Sequence, residues 1–379
     1  MLSSEEAARR LGVKVTTLYA YVSRGLLASH RDPSGRGSLF DLSDIEALAN
    51  RSRSGRHTES RLATVTTGVT QLRLDAGPQY RGRAATELAT VMDFEGVAEL
   101  LWEAGDEGDW SPPDLGACPV DDTFDRMRWA LVLCGATDPL RADRRPVAVT
   151  RAARRVIAAL VAAVGPGPPA AMTALPIARR LAFGLTGSDA VASAAAIDTA
   201  LILMADHELA ASTMAVRIAA SVRADPYDAL TAGLATLAGP LHGGASQQAY
   251  ELLARAERDG AGHALNAALR EHRVPPGFGH TVYTDGDARF VALLQVVVPM
   301  LSDDKRSVLD EVMELAADHS VPLPNCDLAL AALAWGAGMA PDSGRTIFAV
   351  ARVAGWTAHY LEELTERPLR FRARAVYAA

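Results

Sequence analysis

From Ser188 to Val222 the chain reads SDAVASAAAIDTALILMADHELAASTMAVRIAASV, small or apolar nearly all round. A helix without a polar face belongs in the middle of a large protein or at a subunit interface. This stretch therefore demands further helices to cover it. Beyond residue 60 helical patterns separated by Gly and Pro dominate, with few period-2 stretches apart from a short one at Ala63 to Leu74, so the body is read as all-α. At 379 residues, 49% hydrophobic and 22% charged, the chain can bury a core of that size, and disorder is excluded as its main description. The polar element ADHE, Ala205 to Glu208, lies inside the apolar helical stretch and needs a reason to be there.

Residues 1 to 50 differ in texture. Ser3 with Glu6 forms a capping box opening a helix through Leu11, and Gly12 supplies the turn. Thr16 or Thr17 caps a second helix, TTLYAYVSR, which stops at Gly25. RDPSGRGSLF carries Pro33, Gly35 and Gly37 between extended ends, as a hairpin would, and Ser43 with Glu46 caps a third helix, DIEALAN. Helix, tight turn, helix and hairpin wing together resemble the winged helix-turn-helix head of the mercury-regulator and excisionase type. That resemblance implies DNA as a partner, contacted by Lys14, Thr16, Thr17, Tyr19, Arg24 and Arg36, with Arg31 nearby. Arg51, Arg53 and Arg56 follow in a Ser- and Gly-containing segment, 51 to 60, that is read as a linker.

A polyanion footprint over the whole surface is excluded, because 38 basic residues stand against 45 acidic ones, for a net charge of −7. Nucleic-acid contact must be local. The three cysteines, Cys118, Cys134 and Cys326, are odd in number and lack CxxC spacing, which argues against a disulfide framework and against a zinc knuckle. The amino terminus lacks the basic start and apolar stretch of a signal peptide, and Gln295 and Pro299 interrupt the longest apolar candidate, Val291 to Leu301. A cytoplasmic protein with no membrane partner is expected.

Four places combine titratable side chains with residues that open the backbone. They are ADHE; GPLHGGAS, Gly239 to Ser246, around His242; PPGFGHTVYTDGDAR, Pro275 to Arg289, around His280; and PNCDLAL, Pro324 to Leu330, which puts Asp327 near the start of a helix. Loop glycines let a ligand approach the backbone, and free N–H groups at a helix start favour an anion. Histidine beside them can act as acid, base or hydrogen-bond donor. The histidines form no HxxxH or HxH pair, so no metal site is read.

In this order the motifs resemble those of the citrate synthases. GPLHGGA is similar to the family's signature at its first catalytic histidine, and GFGHTVY followed by DAR to its second. The NCD element and ARVAGWTAHYLEE are similar to the carboxy-terminal catalytic region, while YRGR at Tyr80 to Arg83 and FRARAVY at Phe371 to Tyr377 extend the likeness over more than three quarters of the chain. The resemblance implies condensation of acetyl-CoA with oxaloacetate and water to citrate and CoA. 2-Methylcitrate synthesis from propionyl-CoA, or a ligand-sensing DNA-binding regulator built on the same body, are the alternatives. It further implies Asp327 as base, His242 as donor to the thioester oxygen and His280 as donor to the ketone. Oxaloacetate would be held by His207, Arg289, Arg352 and Arg372, and CoA would lie by Gly277, Phe278 and Gly279. No cofactor is implied, acetyl-CoA being a substrate. The implied fold is a large helical domain, 61–244 and 346–379, with a small helical domain, 245–345, and a homodimer in which Arg372 reaches the neighbouring site. Thr281, Met204, Ser246 and Leu328 depart from the pattern, standing where arginine, histidine, asparagine and phenylalanine are usual.

Overall fold

The computed structural model describes residues 2–11, 13, 15–23, 27–31, 38–40, 65–104, 108–165 and 170–372. The chain divides into two compact units, Met1–Thr64 with Phe371–Ala379, and Val65–Arg370.

In the first unit β1 (Leu2–Ser3) leads into α1 (Ser4–Leu11) and α2 (Val15–Ser23), and β2 (His30–Arg31) and β3 (Ser38–Phe40) follow. The capping box forms as read, Ser3 N donating to Glu6 Oε2 at 3.0 Å and Glu6 N to Ser3 Oγ at 3.3 Å. Helix α2 begins at Val15, so Thr16 and Thr17 lie inside its first turn and neither is its cap. The wing is present as an antiparallel pair, His30 opposite Leu39 and Arg31 opposite Ser38, and β1 adds a third strand along β3. Ala7, Ala8, Leu18, Leu27 and Phe40 close a small core of its own. Thr16 and Tyr19 are exposed and Thr17 half-buried, with Tyr19 Oη 3.0 Å from Ser4 Oγ. Lys14, Arg24, Arg36 and the third helix lie outside the described residues.

The second unit opens with an antiparallel sheet that corrects the all-α reading of the body. It comprises β4 (Thr70–Arg73), β5 (Gly77–Tyr80) and β6 (Arg83–Ala84). Around it run α3 (Ala85–Val91), α4 (Phe94–Trp102), α5 (Thr123–Ala136), α6 (Pro146–Ala162), α7 (Ile177–Thr186), α8 (Val191–Met204), α9 (Ala211–Ser221) and α10 (Pro226–Leu237). Next come α11 (Ala245–Asp259), α12 (Ala261–Glu271), α13 (Ala288–Val297), α14 (Asp303–Asp318), α15 (Cys326–Gly336) and the long α16 (Ser343–Thr365). Helices α8 and α16 carry the apolar sides expected of central elements, with Ile197 to Met204 and most of Ile347 to Tyr360 buried. The core is one continuous cluster from Val69 to Tyr360.

ADHE is not helical. Helix α8 ends at Met204 and α9 starts at Ala211, so the element occupies the break between two buried helices. The Tyr80 hydroxyl of YRGR lies 3.0 and 3.1 Å from the carbonyls of Ile202 and Leu203, among the last carbonyls of α8. Gly355 of α16 comes so close that a Cβ there would fall 2.2 Å from Asp206 Oδ1, which is why a glycine interrupts this helix. Among the described residues no single helix is long and apolar enough to cross a membrane.

Candidate active site

A cavity of about 410 Å³ gathers residues from each of the four places singled out above and from ARVAGWTAHYLEE: His207, His242, His280, Arg289, Asp327 and Arg352 all line it. These side chains are up to 145 positions apart in sequence and meet because α8, α10, α13, α15 and α16 converge on one cleft.

His242 sits in the turn after α10, where its N–H bonds to the Gly239 carbonyl at 3.0 Å. Its Nε2 lies 2.8 Å from Ser212 Oγ, which in turn accepts from the Trp356 indole at 3.3 Å. The indole can only donate, which leaves the serine hydrogen free to point at Nε2; in that arrangement the imidazole proton sits on Nδ1. Burial, aided by Arg352, pulls the His242 pKa down to about 4, so the ring is neutral at physiological pH.

His280 is fixed more tightly still. Its Nδ1 accepts the backbone N–H groups of Val282 at 3.0 Å and Tyr283 at 3.1 Å, so a neutral ring must carry its proton on Nε2. Burial and Arg289 lower its pKa, against the pull of Asp287. The ring stacks on Tyr283 with centroids 4.7 Å apart, and His207 meets it edge-on at 5.4 Å. His207 is held neutral by burial and by Arg289, and its Nε2 is buried without a partner.

Asp327 stands in the first turn of α15, whose cap is the Asn325 side chain accepting from Asp327 N at 2.9 Å. Burial pushes its carboxyl up to about 6, Arg289 opposing. A base near neutrality is thereby produced from an ordinary aspartate.

Two cations face these groups. Arg289 is buried and gripped by Asp287 through Nε and Nη2, both at 2.9 Å. Arg352 donates Nε to the Met204 carbonyl at 2.9 Å, and its Nη1 is buried without a partner. An unpaired guanidinium edge beside the unpaired His207 nitrogen is the arrangement that receives a carboxylate.

Arg372 follows Arg370, the last residue of this unit, and is exposed; it is not among the side chains gathered here. Gly277, Phe278 and Gly279 do not line the cavity. Phe278 is buried, and the glycines bind the bend to the segment before α15, Asn325 N reaching Gly277 O at 2.9 Å and Asn325 Nδ2 reaching Gly279 O at 2.6 Å. Of the departures, Thr281 lines the cleft exposed, Met204 acts through its carbonyl, Leu328 packs in the core against Gly277, and Ser246 Oγ is buried without a partner. Sequence reasoning missed Ser212 and Phe348, and it named Asp287 and Tyr283 only as parts of the DAR and GFGHTVY motifs, giving neither a role. Among the described residues no group of three or more His, Cys, Asp or Glu could hold a metal ion.

Comparison with known proteins gives the family and the fold. The family profile described as citrate synthase, C-terminal domain, matches residues 114–374, and one described as a helix-turn-helix domain matches residues 1–53. The 2-methylcitrate synthase of Mycobacterium tuberculosis is 31% identical over 327 residues, covering 76% of this chain and 82% of that protein. Citrate synthase 2 of Bacillus subtilis is 32% identical over 266 residues, covering 66% and 71%. Among solved structures, citrate synthase from Thermotoga maritima superposes with a TM-score of 0.70 at 23% identity, over 86% of this chain and 96% of that one. A ternary complex of Thermoplasma acidophilum citrate synthase with carboxymethyl coenzyme A and oxaloacetate gives 0.69 at 20% identity, over 84% and 95%. At that identity the structural likenesses speak for the fold.

Proposed function

The chain belongs to the citrate synthase family, an acyltransferase of the condensing type, and from that premise we propose that it joins acetyl-CoA to oxaloacetate to give citrate and CoA. Asp327 removes a proton from the α-carbon of the thioester. The charge passes to the thioester oxygen, which takes a hydrogen bond from His242 Nδ1–H; without that receiver a carboxylate is far too weak a base for the step. The enol carbon attacks the ketone of oxaloacetate, whose oxygen is polarised and then protonated by His280 from Nε2. Water then cleaves the thioester, releasing CoA and making the sequence irreversible. Arg289, Arg352 and His207 hold the oxo acid's carboxylates, and Arg372 completes the site of a second subunit in a homodimer. CoA lies along the bend at Gly277 to Gly279. The division into a large domain, 61–244 with 346–379, and a small domain, 245–345, puts the cleft at their junction, where closure excludes water.

The observation that carries this reading is the meeting, in one 410 Å³ cavity, of two neutral histidines, a raised carboxyl and two buried arginines. Thiol release by the purified protein with oxaloacetate and either acetyl-CoA or propionyl-CoA tests it, with Asp327→Ala as control. Release that requires both substrates and disappears in the variant is expected. The ratio of the two rates names the acyl group, relatives of both names being known.

The helix-turn-helix match favours a second reading that is compatible with the first. A cytoplasmic dimer would present two heads to a two-fold DNA site, with the condensing body as the sensor of oxo acid and acyl-CoA.

A further inference from the structure

Helix α16 holds three consecutive residues, the last of α8 and the first two of the ADHE segment, from one face. Arg352 Nε bonds to the Met204 carbonyl at 2.9 Å, Gly355 N to the Ala205 carbonyl at 3.0 Å, and His359 Nε2 to Asp206 Oδ2 at 3.2 Å. Positions 352, 355 and 359 form a single stripe on a helix. The far nitrogen of His359, Nδ1, lies 2.8 Å from Arg217 Nη1. A guanidinium only donates, so Nδ1 accepts and the ring proton sits on Nε2, donated to Asp206. Arg217 is anchored in turn by Glu363 at 3.0 Å and Glu362 at 2.6 Å, and Glu363 by Arg370 Nε at 2.7 Å. Asp206, Arg217, His359 and Glu363 are all completely buried.

A buried chain of this kind adds little stability over apolar side chains of the same volume, and its value lies in geometry. That geometry ends at the oxo-acid pocket. Asp206 Oδ2 also accepts Glu208 N at 3.1 Å, and Glu208 is held left-handed at φ 52°. The backbone is therefore pinned on both sides of His207, whose unpartnered Nε2 is buried beside the cavity.

We propose that His359 is a positioning residue for oxo-acid binding: as an uncharged bridge between Arg217 and Asp206 it sets the turn that presents His207. The proposal rests on the condensing function argued above and predicts an effect on one substrate only.

The test compares wild type with His359→Leu and His359→Gln, using calorimetric binding of oxaloacetate, KM for each substrate and the thermal midpoint. In His359→Leu, oxaloacetate Kd and KM rise about tenfold while KM for the acyl-CoA stays within about twofold, the cost of a small misplacement of one binding group. His359→Gln recovers most of the loss, since its amide oxygen can face Arg217 and its NH2 group Asp206. Unchanged oxaloacetate binding in folded His359→Leu overturns the proposal, as does an equal loss for both substrates that follows the thermal midpoint. If His359→Leu does not fold, Asp206→Asn takes its place with the same selective loss expected and the same outcomes decisive. Wild-type protein that binds oxaloacetate but releases no thiol counts against the condensing function, and the binding series still decides the role of His359. Wild-type protein that binds no oxaloacetate overturns both.

Discussion

In the proposed reaction Asp327 takes a proton from carbon with a carboxyl held at about 6 by burial. Because the ionised form is the base, kcat/KM, which reports the groups of the free protein, rises with pH through about 6 and levels above it. His242, held at about 4, adds no limb in that window. Asp327→Asn lowers kcat by about 10³-fold, within the usual range for a general base. The same change stabilises the protein at pH 8. A carboxyl with its folded pKa raised costs stability as pH climbs from the unfolded to the folded value, so the variant's higher thermal midpoint at pH 8 shrinks towards pH 4. Scanning both proteins at the two pH values checks the sign. Ser212→Ala removes the hydroxyl that meets His242 Nε2, and kcat falls by about tenfold while oxaloacetate binding is kept. Asp327 and the histidines were legible in sequence because loops of Gly and Pro expose them. Ser212 was not, since an ordinary helical serine thirty residues from its partner leaves no local trace.

Helix caps show what the sequence can and cannot state about elements. The capping box of α1 is a local contact, and it was readable. The start of α7 is capped instead from α4, Glu95 Oε1 accepting from Ile177 N at 2.6 Å, while Asp198 of α8 accepts Phe94 N at 3.1 Å. Such long-range caps cannot be inferred from spacing. The same holds for the break in α8–α9, where composition says helix throughout but Tyr80, Gly355 and His359 arrive from elsewhere to stabilise an open segment. Burial raises Glu95 to about 7 and Asp198 to about 6. Both favour the folded state when protonated, so this stability is present at low pH and lost as pH rises through 6 to 7. Glu95→Gln keeps the acceptor for Ile177 and removes the titration, so its thermal midpoint exceeds that of wild type at pH 8 and matches it at pH 4. Gly277→Ala has the opposite outcome. At φ 87°, with Leu328 Cβ only 2.9 Å from the added methyl, it destabilises by about 2 kcal/mol in denaturant titration.

On the scale of the whole molecule the charge is unevenly divided. Residues 1–64 hold ten basic against seven acidic residues, a net +3, so the remainder of a chain of net −7 carries −10. An acidic body repels a polyanion, so any DNA affinity must come from the head. Counterion release turns this into a number. If Lys14, Arg24, Arg31 and Arg36 each meet a phosphate, one head loses affinity about 100-fold between about 50 and about 200 mM salt, and two heads bound together lose about 10⁴-fold. The salt slope measured by anisotropy of a labelled duplex therefore counts the heads engaged, and a slope near zero would remove DNA from the function. Repeating the titration with oxaloacetate and CoA then asks whether the body controls the head. Closure around substrates changes DNA affinity only if the two forms differ in how they present the heads, since a ligand shifts an equilibrium by no more than its differential affinity for the two states. Equal affinity with and without the ligands leaves enzyme and head as independent passengers on one chain, whereas a shift requires DNA to change oxaloacetate affinity by the same factor, which calorimetry in the presence of the duplex would read directly.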